Sequence, residues 1–117
     1  MQQIGIKRVY EEATEKDGYR ILVDRLWPRG VTKEEAHLDE WDKNIAPSTE
    51  LRKWFDHKEE RFQEFSLRYK EELLPQEEEL IKVRKIAQTQ KVTLLYGAKD
   101  PKINHAVVLK NILNKIA

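Results

Sequence analysis

The architecture of this chain is set by residues 17–30, which read Asp17-Gly18-Tyr19-Arg20-Ile21-Leu22-Val23-Asp24-Arg25-Leu26-Trp27-Pro28-Arg29-Gly30. Residues 19–26 form a nearly continuous apolar and β-branched run, which is typical of a strand covered on both faces. The run leads directly into a turn that carries arginine and tryptophan. Arginine offers a rigid fork of donors suited to carboxylate or phosphate, and an indole offers a flat apolar face. The stretch therefore predicts a central strand that ends at an anion-binding or stacking site.

The size and composition of the chain predict one cytoplasmic domain spanning residues 1–117. The 117 residues include no cysteine, which excludes a thiolate nucleophile, disulfides and cysteine-ligated metal centres. A formal net charge of +1 offers no global field for nucleic acid or an anionic membrane. The N-terminus lacks the basic start and apolar run of a secretory signal, and no apolar stretch approaches membrane-spanning length.

Two further stretches read as strands beside residues 19–26. Residues 92–96 repeat the buried-strand pattern and stop at Gly97, and residues 4–9 alternate apolar and polar side chains. Residues 39–42 are either a brief edge strand or a loop. Helical segments separate these strands, so we expect a small α/β fold of two or three layers, with central parallel strands flanked by helices.

Capping residues and apolar spacing predict the helices. Thr32 and Glu35 form a capping box for a short helix through His37, and Pro47-Ser48 opens a helix over residues 49–55. Asp56, with Glu59 three residues later, is expected to cap the next helix. This next helix should present one apolar stripe, formed by Phe62, Phe65, Tyr69 and Leu73. A further helix is expected over residues 76–88, with Leu80, Val83 and Ala87 pointing inward. The last helix is expected to start at Asp100-Pro101 and to bury Ala106, Leu109, Leu113 and Ile116.

Both unusual clusters follow a predicted central strand. In an α/β sheet, ligands sit outside the carboxyl ends of such strands, and a helix N-terminus there favours an anion. If the two strands are parallel neighbours, their clusters and the start of the last helix converge on one crevice. We expect ligand contacts from Arg25, Trp27, Arg29, Tyr96 and Lys99, and proton transfer from Asp24 or His105.

Each of these residues also has a structural explanation. Asp24 and Arg25 point to opposite faces of a strand, so neither pairs simply with the other, and a buried ion pair elsewhere explains them as well as a ligand does. A tryptophan more often packs in the core, and Asp100 is a good helix cap. His57, beside Asp56, resembles an oriented general base, but the chain offers no nucleophile elbow. The three histidines lack short metal-site spacing, so we expect no metal and no cofactor.

Two classes of function follow from these residues. The first is a small-anion binding domain, with or without chemistry, whose arginines and lysine hold a phosphate or carboxylate. The alternative is a non-catalytic module that binds single-stranded nucleic acid or a partner protein with the same basic and aromatic rim. The near-neutral charge argues against nucleic acid. Three tryptophans in a short chain also make a homodimer a candidate assembly.

Several motifs of the chain resemble those of the YeaO-like family of bacterial domains. They are Leu22-Val23-Asp24-Arg25-Leu26-Trp27-Pro28-Arg29-Gly30, Asp39-x-Trp41, Ala46-Pro47-Ser48, Leu51-Arg52-x-Trp54-Phe55-x-His57 and Leu94-Leu95-Tyr96-Gly97-Ala98-Lys99-Asp100. The resemblance covers roughly Val9 to Leu113 and implies a small α/β fold with recurring polar positions, but no activity. Gly97 departs from the family pattern, which has a small side chain there, and Lys58 stands where an acidic residue is expected.

Overall fold

The computed structural model describes residues 4–115, which contain a parallel sheet of four strands. The strands, in chain order, are β1 (Ile4–Arg8), β2 (Tyr19–Leu22), β3 (Glu40–Trp41) and β4 (Val92–Tyr96). Their order across the sheet is β1-β4-β2-β3, with Ile21 opposite Leu94 and Ile6 also opposite Leu94. The predicted α/β fold and the parallel neighbourhood of the two central strands are confirmed.

Five α-helices within residues 4–115 surround this sheet. They are α1 (Lys33–Ala36), α2 (Thr49–Phe55), α3 (Phe62–Leu73), α4 (Glu77–Thr89) and α5 (His105–Lys115). None of the helices in this part of the chain has the length and apolar character needed to cross a membrane. The Thr32 capping box of α1 and the predicted bounds of α2 are confirmed, because Thr32 and Ser48 each accept a hydrogen bond from the third backbone N–H of their helix.

The two faces of the sheet bury different sets of residues. Ile21, Val23 and Leu94 face the main core, which they share with α2, α3, α4 and α5. Leu22 and Leu95 point the other way, into a smaller cluster closed by Ala36 of α1 and partly buried tryptophans. Successive side chains of β2 and β4 therefore alternate between the two faces, and both faces are covered, as the continuous apolar runs in the sequence predicted.

The smaller face also carries a buried polar network at the amino ends of the strands. Arg20 Nη1 donates to Asp17, Lys7 Nζ lies 3.1 Å from Asp17 Oδ1, and Thr93 Oγ1 donates to the Asp17 carbonyl. Asp17 and Arg20 are 6% and 3% exposed. The network therefore joins β1 and β2 through the Asp17 carboxylate and β4 through the Asp17 backbone carbonyl.

Two of the predicted helix starts are wrong. Asp56 does not cap α3: it ends α2 in the left-handed conformation (φ 48°), and a 3₁₀ turn at Glu59–Arg61 separates it from Phe62. Asp100 does not cap α5, because its side chain accepts from the N–H groups of Lys102 and Ile103 and closes a turn. Asn104 caps α5 instead, since its Oδ1 accepts from Val107 N.

Most other element predictions agree with the structure. The strand predicted over residues 19–26 ends as a strand at Leu22, although Val23 N still donates to Leu95 O. The edge alternative for residues 39–42 is correct, since β3 pairs with β2. The helix predicted over residues 76–88 is α4, preceded by a 3₁₀ turn at Leu74–Gln76. The predicted core positions on α3, α4 and α5 are buried or partly buried, and Ile116 lies outside the described residues.

Candidate functional site

A cavity of about 370 Å³ opens at the carboxyl ends of β2 and β4. Its polar wall consists of side chains from the β2 end, from α2 and from the start of α5, and its apolar wall includes Trp27, Phe55 and Phe65. We refer to it as the main cavity. The charged and imidazole groups that line it are Asp24, Arg25, Arg52, Lys53, Asp56, His57 and His105.

Asp24 joins the two central strand ends to α5. Its Oδ2 accepts from Gly97 N at 2.8 Å, which continues the β2–β4 ladder one position past the strand. Its Oδ1 lies 2.8 Å from His105 Nε2. A Cβ on Gly97 would lie 3.0 Å from Asp24 Oδ2, so a side chain there would require the carboxylate to shift by a few tenths of an ångström.

Two oxygen atoms beside His105 determine which nitrogen of its neutral ring carries the proton. Nε2 lies between two oxygen acceptors, the Val23 carbonyl at 3.0 Å and Asp24 Oδ1 at 2.8 Å. Only a protonated Nε2 is compatible with both, so in the neutral ring Nδ1 is the acceptor. The N–H direction suits the Val23 carbonyl, and the buried Asp24 Oδ1 is left without an aligned hydrogen bond. The Val23 carbonyl therefore selects the Nε2–H tautomer, and Asp24 provides a negative charge beside the ring.

Arg25 is held by backbone carbonyls. Its Nε donates to Pro47 O at 2.9 Å, and its Nη2 donates to Ala46 O at 3.0 Å. The guanidinium thus ties the end of β2 to the loop that leads into α2. It forms part of the cavity wall, with much of its donor capacity already used.

Two cations of α2 line the main cavity without a partner of their own. Within the described residues, the side chains of Arg52 and Lys53 make no hydrogen bond and no ion pair. Arg52 is half-buried and Lys53 is exposed. They give the cavity two cationic groups that are free to contact an anion.

The rim after α2 has an unusual backbone. Asp56 and His57 both have positive φ angles, 48° and 55°. Residues other than glycine occupy this region at a cost in free energy. The conformation places His57 in the cavity wall, where its ring also lies 6.2 Å from the ring of Phe55.

Trp27 is anchored at the mouth of the main cavity. Its Nε1 donates to Val31 O at 2.7 Å, and its ring lies edge-on to Trp41 with 5.3 Å between the centroids. Trp41 Nε1 in turn donates to the Asp24 carbonyl at 2.7 Å. Trp27 therefore presents a fixed apolar surface, while Trp41 supports the backbone that carries Asp24.

The structure brings only part of the predicted site together. Asp24, Arg25, Trp27 and His105 line the main cavity, whereas Arg29 and Lys99 are exposed and are not in its wall. Tyr96 is 2% exposed and belongs to the core, where burial raises the pKa of its hydroxyl. The predicted ligand roles of all these residues remain predictions.

Sequence reasoning did not assign Arg52 and Lys53 to the site and favoured a structural role for His57. Arg52 and His57 stand in the motif Leu51-Arg52-x-Trp54-Phe55-x-His57, which was the available signal. Lys53 carries no local signal, since its place in the wall depends on how α2 packs over the strand ends.

The main cavity offers no cluster of metal ligands within residues 4–115. No group of three His, Asp or Glu side chains in its wall is close enough together to hold a metal ion.

Comparison with known proteins gives one family and several relatives. The family model described as the inactive DUF488-N3 subclade matches residues 3–117. The chain is 50% identical over 113 residues to the uncharacterized protein YeaO of Escherichia coli (strain K12), covering 97% of this chain and 98% of that protein. It is 41% identical over 112 residues to the uncharacterized proteins Mb3100c of Mycobacterium bovis and Rv3073c of Mycobacterium tuberculosis, covering 96% of this chain and 94% of each. No solved structure matches the chain.

Proposed function

The chain belongs to the family described as the inactive DUF488-N3 subclade, and we propose that it binds a small organic anion in the main cavity. The membership confirms the YeaO-like resemblance of its motifs. The observation that carries the proposal is a pair of cations, Arg52 and Lys53, that have no partner within the described residues and line a cavity of about 370 Å³ with an apolar wall. That volume is in the range of small-molecule sites.

The charge balance of the wall favours an anion. Asp24 is engaged by Gly97 N and by His105, so its charge is partly compensated within the protein. Asp56 adds a second carboxylate to the wall, against three cations, Arg25, Arg52 and Lys53, which have no carboxylate partner within the described residues. The cavity also lies beside the first turn of α5, whose free N–H groups add a partial positive charge. A phosphate or carboxylate would therefore find more unpaired positive than negative charge.

The apolar wall indicates that the ligand is more than an inorganic ion. Trp27 has a fixed orientation, and Phe55 and Phe65 close the inner side. A carbon skeleton attached to the anionic group can pack on these rings, which adds affinity that a bare phosphate lacks. A phosphorylated or carboxylated metabolite with a small ring is the ligand class that suits both walls.

We propose binding without catalysis, because the family is described as an inactive subclade. The described residues of the wall include no hydroxyl or thiol side chain, so the Asp24–His105 pair has no side-chain nucleophile to activate there. In a binding role the same pair fixes the start of α5 against the strand ends and presents Nδ1 as an acceptor.

Calorimetric titration at low ionic strength tests the proposal, with inorganic phosphate and ribose 5-phosphate as probes. We expect ribose 5-phosphate to bind more tightly than phosphate, and Arg52→Ala and Lys53→Ala each to weaken it about tenfold. Lys85→Ala is the matched control, because Lys85 is an exposed lysine of α4 outside the cavity wall.

Three results would overturn this assignment. One is the absence of binding by either probe. A second is an equal loss in Lys85→Ala. A third is an unchanged affinity in Arg52→Ala with a loss in Arg29→Ala, which would place the anion at the exposed turn instead. Binding of a labelled single-stranded oligonucleotide with a steep salt dependence, in place of the small anions, would support the nucleic-acid alternative.

A further inference from the structure

A second polar cluster lies away from the main cavity, where β3 meets the first turn of α4. Carboxylate oxygens of Glu40, Asp42 and Glu79 all lie within 4.8 Å of one another. Glu40 and Asp42 are two residues apart and so lie on the same side of the edge strand. Glu79 approaches them from α4. The cluster thus brings three negative charges from two elements to one point.

The decisive feature of the cluster is a buried oxygen without a partner. Asp42 is 4% exposed, and its Oδ1 accepts from Asn44 N at 3.1 Å. Its Oδ2 is buried and has no hydrogen-bond partner within the described residues. A buried carboxylate oxygen in that state carries a large desolvation cost, which a proton or a cation relieves.

The electrostatics of the cluster are otherwise poorly compensated. The ammonium of Lys82 lies 3.2 Å from Glu40 Oε2, and the Tyr19 hydroxyl donates to Glu40 Oε1. The same ammonium also interacts electrostatically with Glu79 and Asp42, so one exposed cation faces three carboxylates.

We propose that Glu40, Asp42 and Glu79 form a binding site for a divalent cation of the size of Ca²⁺. Oxygen ligands lie about 2.3–2.6 Å from Ca²⁺, so ligands on opposite sides of the ion are about 4.6–5.2 Å apart. All three oxygens lie within 4.8 Å of one another, so one Ca²⁺ ion can contact all of them. Mg²⁺ usually keeps several waters and takes one or two carboxylates, so a set of three protein carboxylates favours Ca²⁺. Three carboxylates form a hard oxygen set, which suits Ca²⁺ rather than a thiolate- or imidazole-binding metal.

The site would connect the edge strand to α4. Lys82 is 54% exposed and can leave Glu40 when the cation arrives, because its ammonium has solvent on its other side. Bound Ca²⁺ would then replace one exposed ion pair with a link between β3 and α4. This function is independent of the anion proposed for the main cavity.

Thermal denaturation with and without CaCl₂, after removal of metals with a chelator, tests the site. We expect Tm to rise with the logarithm of the Ca²⁺ concentration once it exceeds the Kd, by about 5 °C at ten times the Kd. Asp42→Asn and Glu79→Gln should abolish the rise, and Glu78→Gln, which removes one exposed charge from the same helical turn, should retain it. Asp42→Asn keeps an oxygen for Asn44 N, and the partly exposed Glu79 gives a second variant in case the first does not fold.

Terbium luminescence gives a readout that does not depend on stability. Trp41 stands between Glu40 and Asp42, so its excitation should sensitise Tb³⁺ bound in the cluster, and Ca²⁺ should displace that signal. Loss of the displaceable signal in Glu79→Gln, but not in Glu78→Gln, supports the site. Equal behaviour of these two variants, or a wild-type Tm that Ca²⁺ leaves unchanged, would show that the cluster holds only a proton.

Discussion

At the scale of single residues, Asp24 has the most consequential position. One carboxylate oxygen continues the sheet ladder to Gly97, and the other lies against the ring of His105. Its backbone carbonyl also accepts from Trp41 Nε1. Asp24 is therefore a positioning residue for the cavity wall, and its own orientation depends on the absence of a side chain at Gly97.

Gly97→Ala tests this dependence. The new Cβ would lie 3.0 Å from Asp24 Oδ2, so the carboxylate must move and its bond to the residue 97 N–H must lengthen. We expect a loss of about 1–2 kcal/mol in the free energy of unfolding. We also expect a change in the ¹⁵N shifts of the His105 ring, which in the wild type should show the Nε2–H tautomer.

Gly5→Ala is the control for this substitution. A Cβ at Gly5 would lie 3.3 Å from Cε of Lys91, a flexible side chain that can move aside. This variant should keep both its stability and the His105 signals. If Gly97→Ala behaved in the same way, Asp24 would not be constrained by the approach of residue 97.

At the scale of elements, the end of α2 connects stability with the site. Asp56 and His57 take two successive left-handed conformations where glycine is the preferred residue at a helix end. The turn places His57 in the wall of the main cavity, close to Arg52 and Lys53 of the same helix. The strained backbone thus coincides with the part of the cavity that the anion proposal uses.

His57→Gly should separate these two roles. Glycine removes the steric cost of the positive φ, so we expect an increase of about 0.5–1 kcal/mol in unfolding free energy. The affinity for ribose 5-phosphate should fall, because the imidazole leaves the wall. Chemical denaturation and calorimetry measure the two effects on the same samples.

The matched control is His37→Gly, because His37 ends α1 with a φ of 45° and lies outside the main cavity. It should gain similar stability and leave the affinity unchanged. A His57→Gly variant that is less stable than the wild type would argue that the ring contact with Phe55 outweighs the backbone strain.

The elements also show how far the sequence alone leads. Continuous apolar runs predicted β2 and β4, and the Ser48 cap predicted the start of α2, because both signals are local. The left-handed Asp56 was missed, since a non-glycine residue in that conformation is held by its surroundings. The carbonyl partners of Arg25 and the place of Arg52 in the cavity depend on how the loop before α2 crosses the strand ends. The course of that loop depends on tertiary packing, so no local sequence pattern predicts it.

At the scale of the whole molecule, two charged centres lie at opposite ends of the parallel strands. The main cavity occupies the carboxyl ends, where binding sites of α/β sheets lie. The Asp17 network occupies the amino ends, where the buried Arg20, the partly buried Lys7 and Thr93 connect β1, β2 and β4. Among the described residues, the Asp17 carboxylate at the amino ends is paired within the protein, whereas Arg52 and Lys53 at the carboxyl ends have no side-chain partner.

The pH dependence of unfolding should reflect the paired end. Burial opposes the charge of Asp17, but its hydrogen bond from Thr14 and the cations Lys7 and Arg20 outweigh it, and the pKa of Asp17 is lowered below 3.8. The unfolded chain therefore binds this proton more readily than the folded one. The contribution of Asp17 to stability is present above about pH 4 and is lost as the pH falls through the lowered pKa.

Asp17→Asn should cost about 2–4 kcal/mol at neutral pH, because it leaves the buried Arg20 without its counter-charge. Urea denaturation from neutral pH down to the acid limb measures this difference, which should shrink as the pH falls below 4. Glu15→Gln is the control, since Glu15 is an exposed acid two residues away with no ion pair within the described chain. A difference that stays constant across the acid range would mean that the neutral carboxamide, rather than the lost charge, disrupts the network.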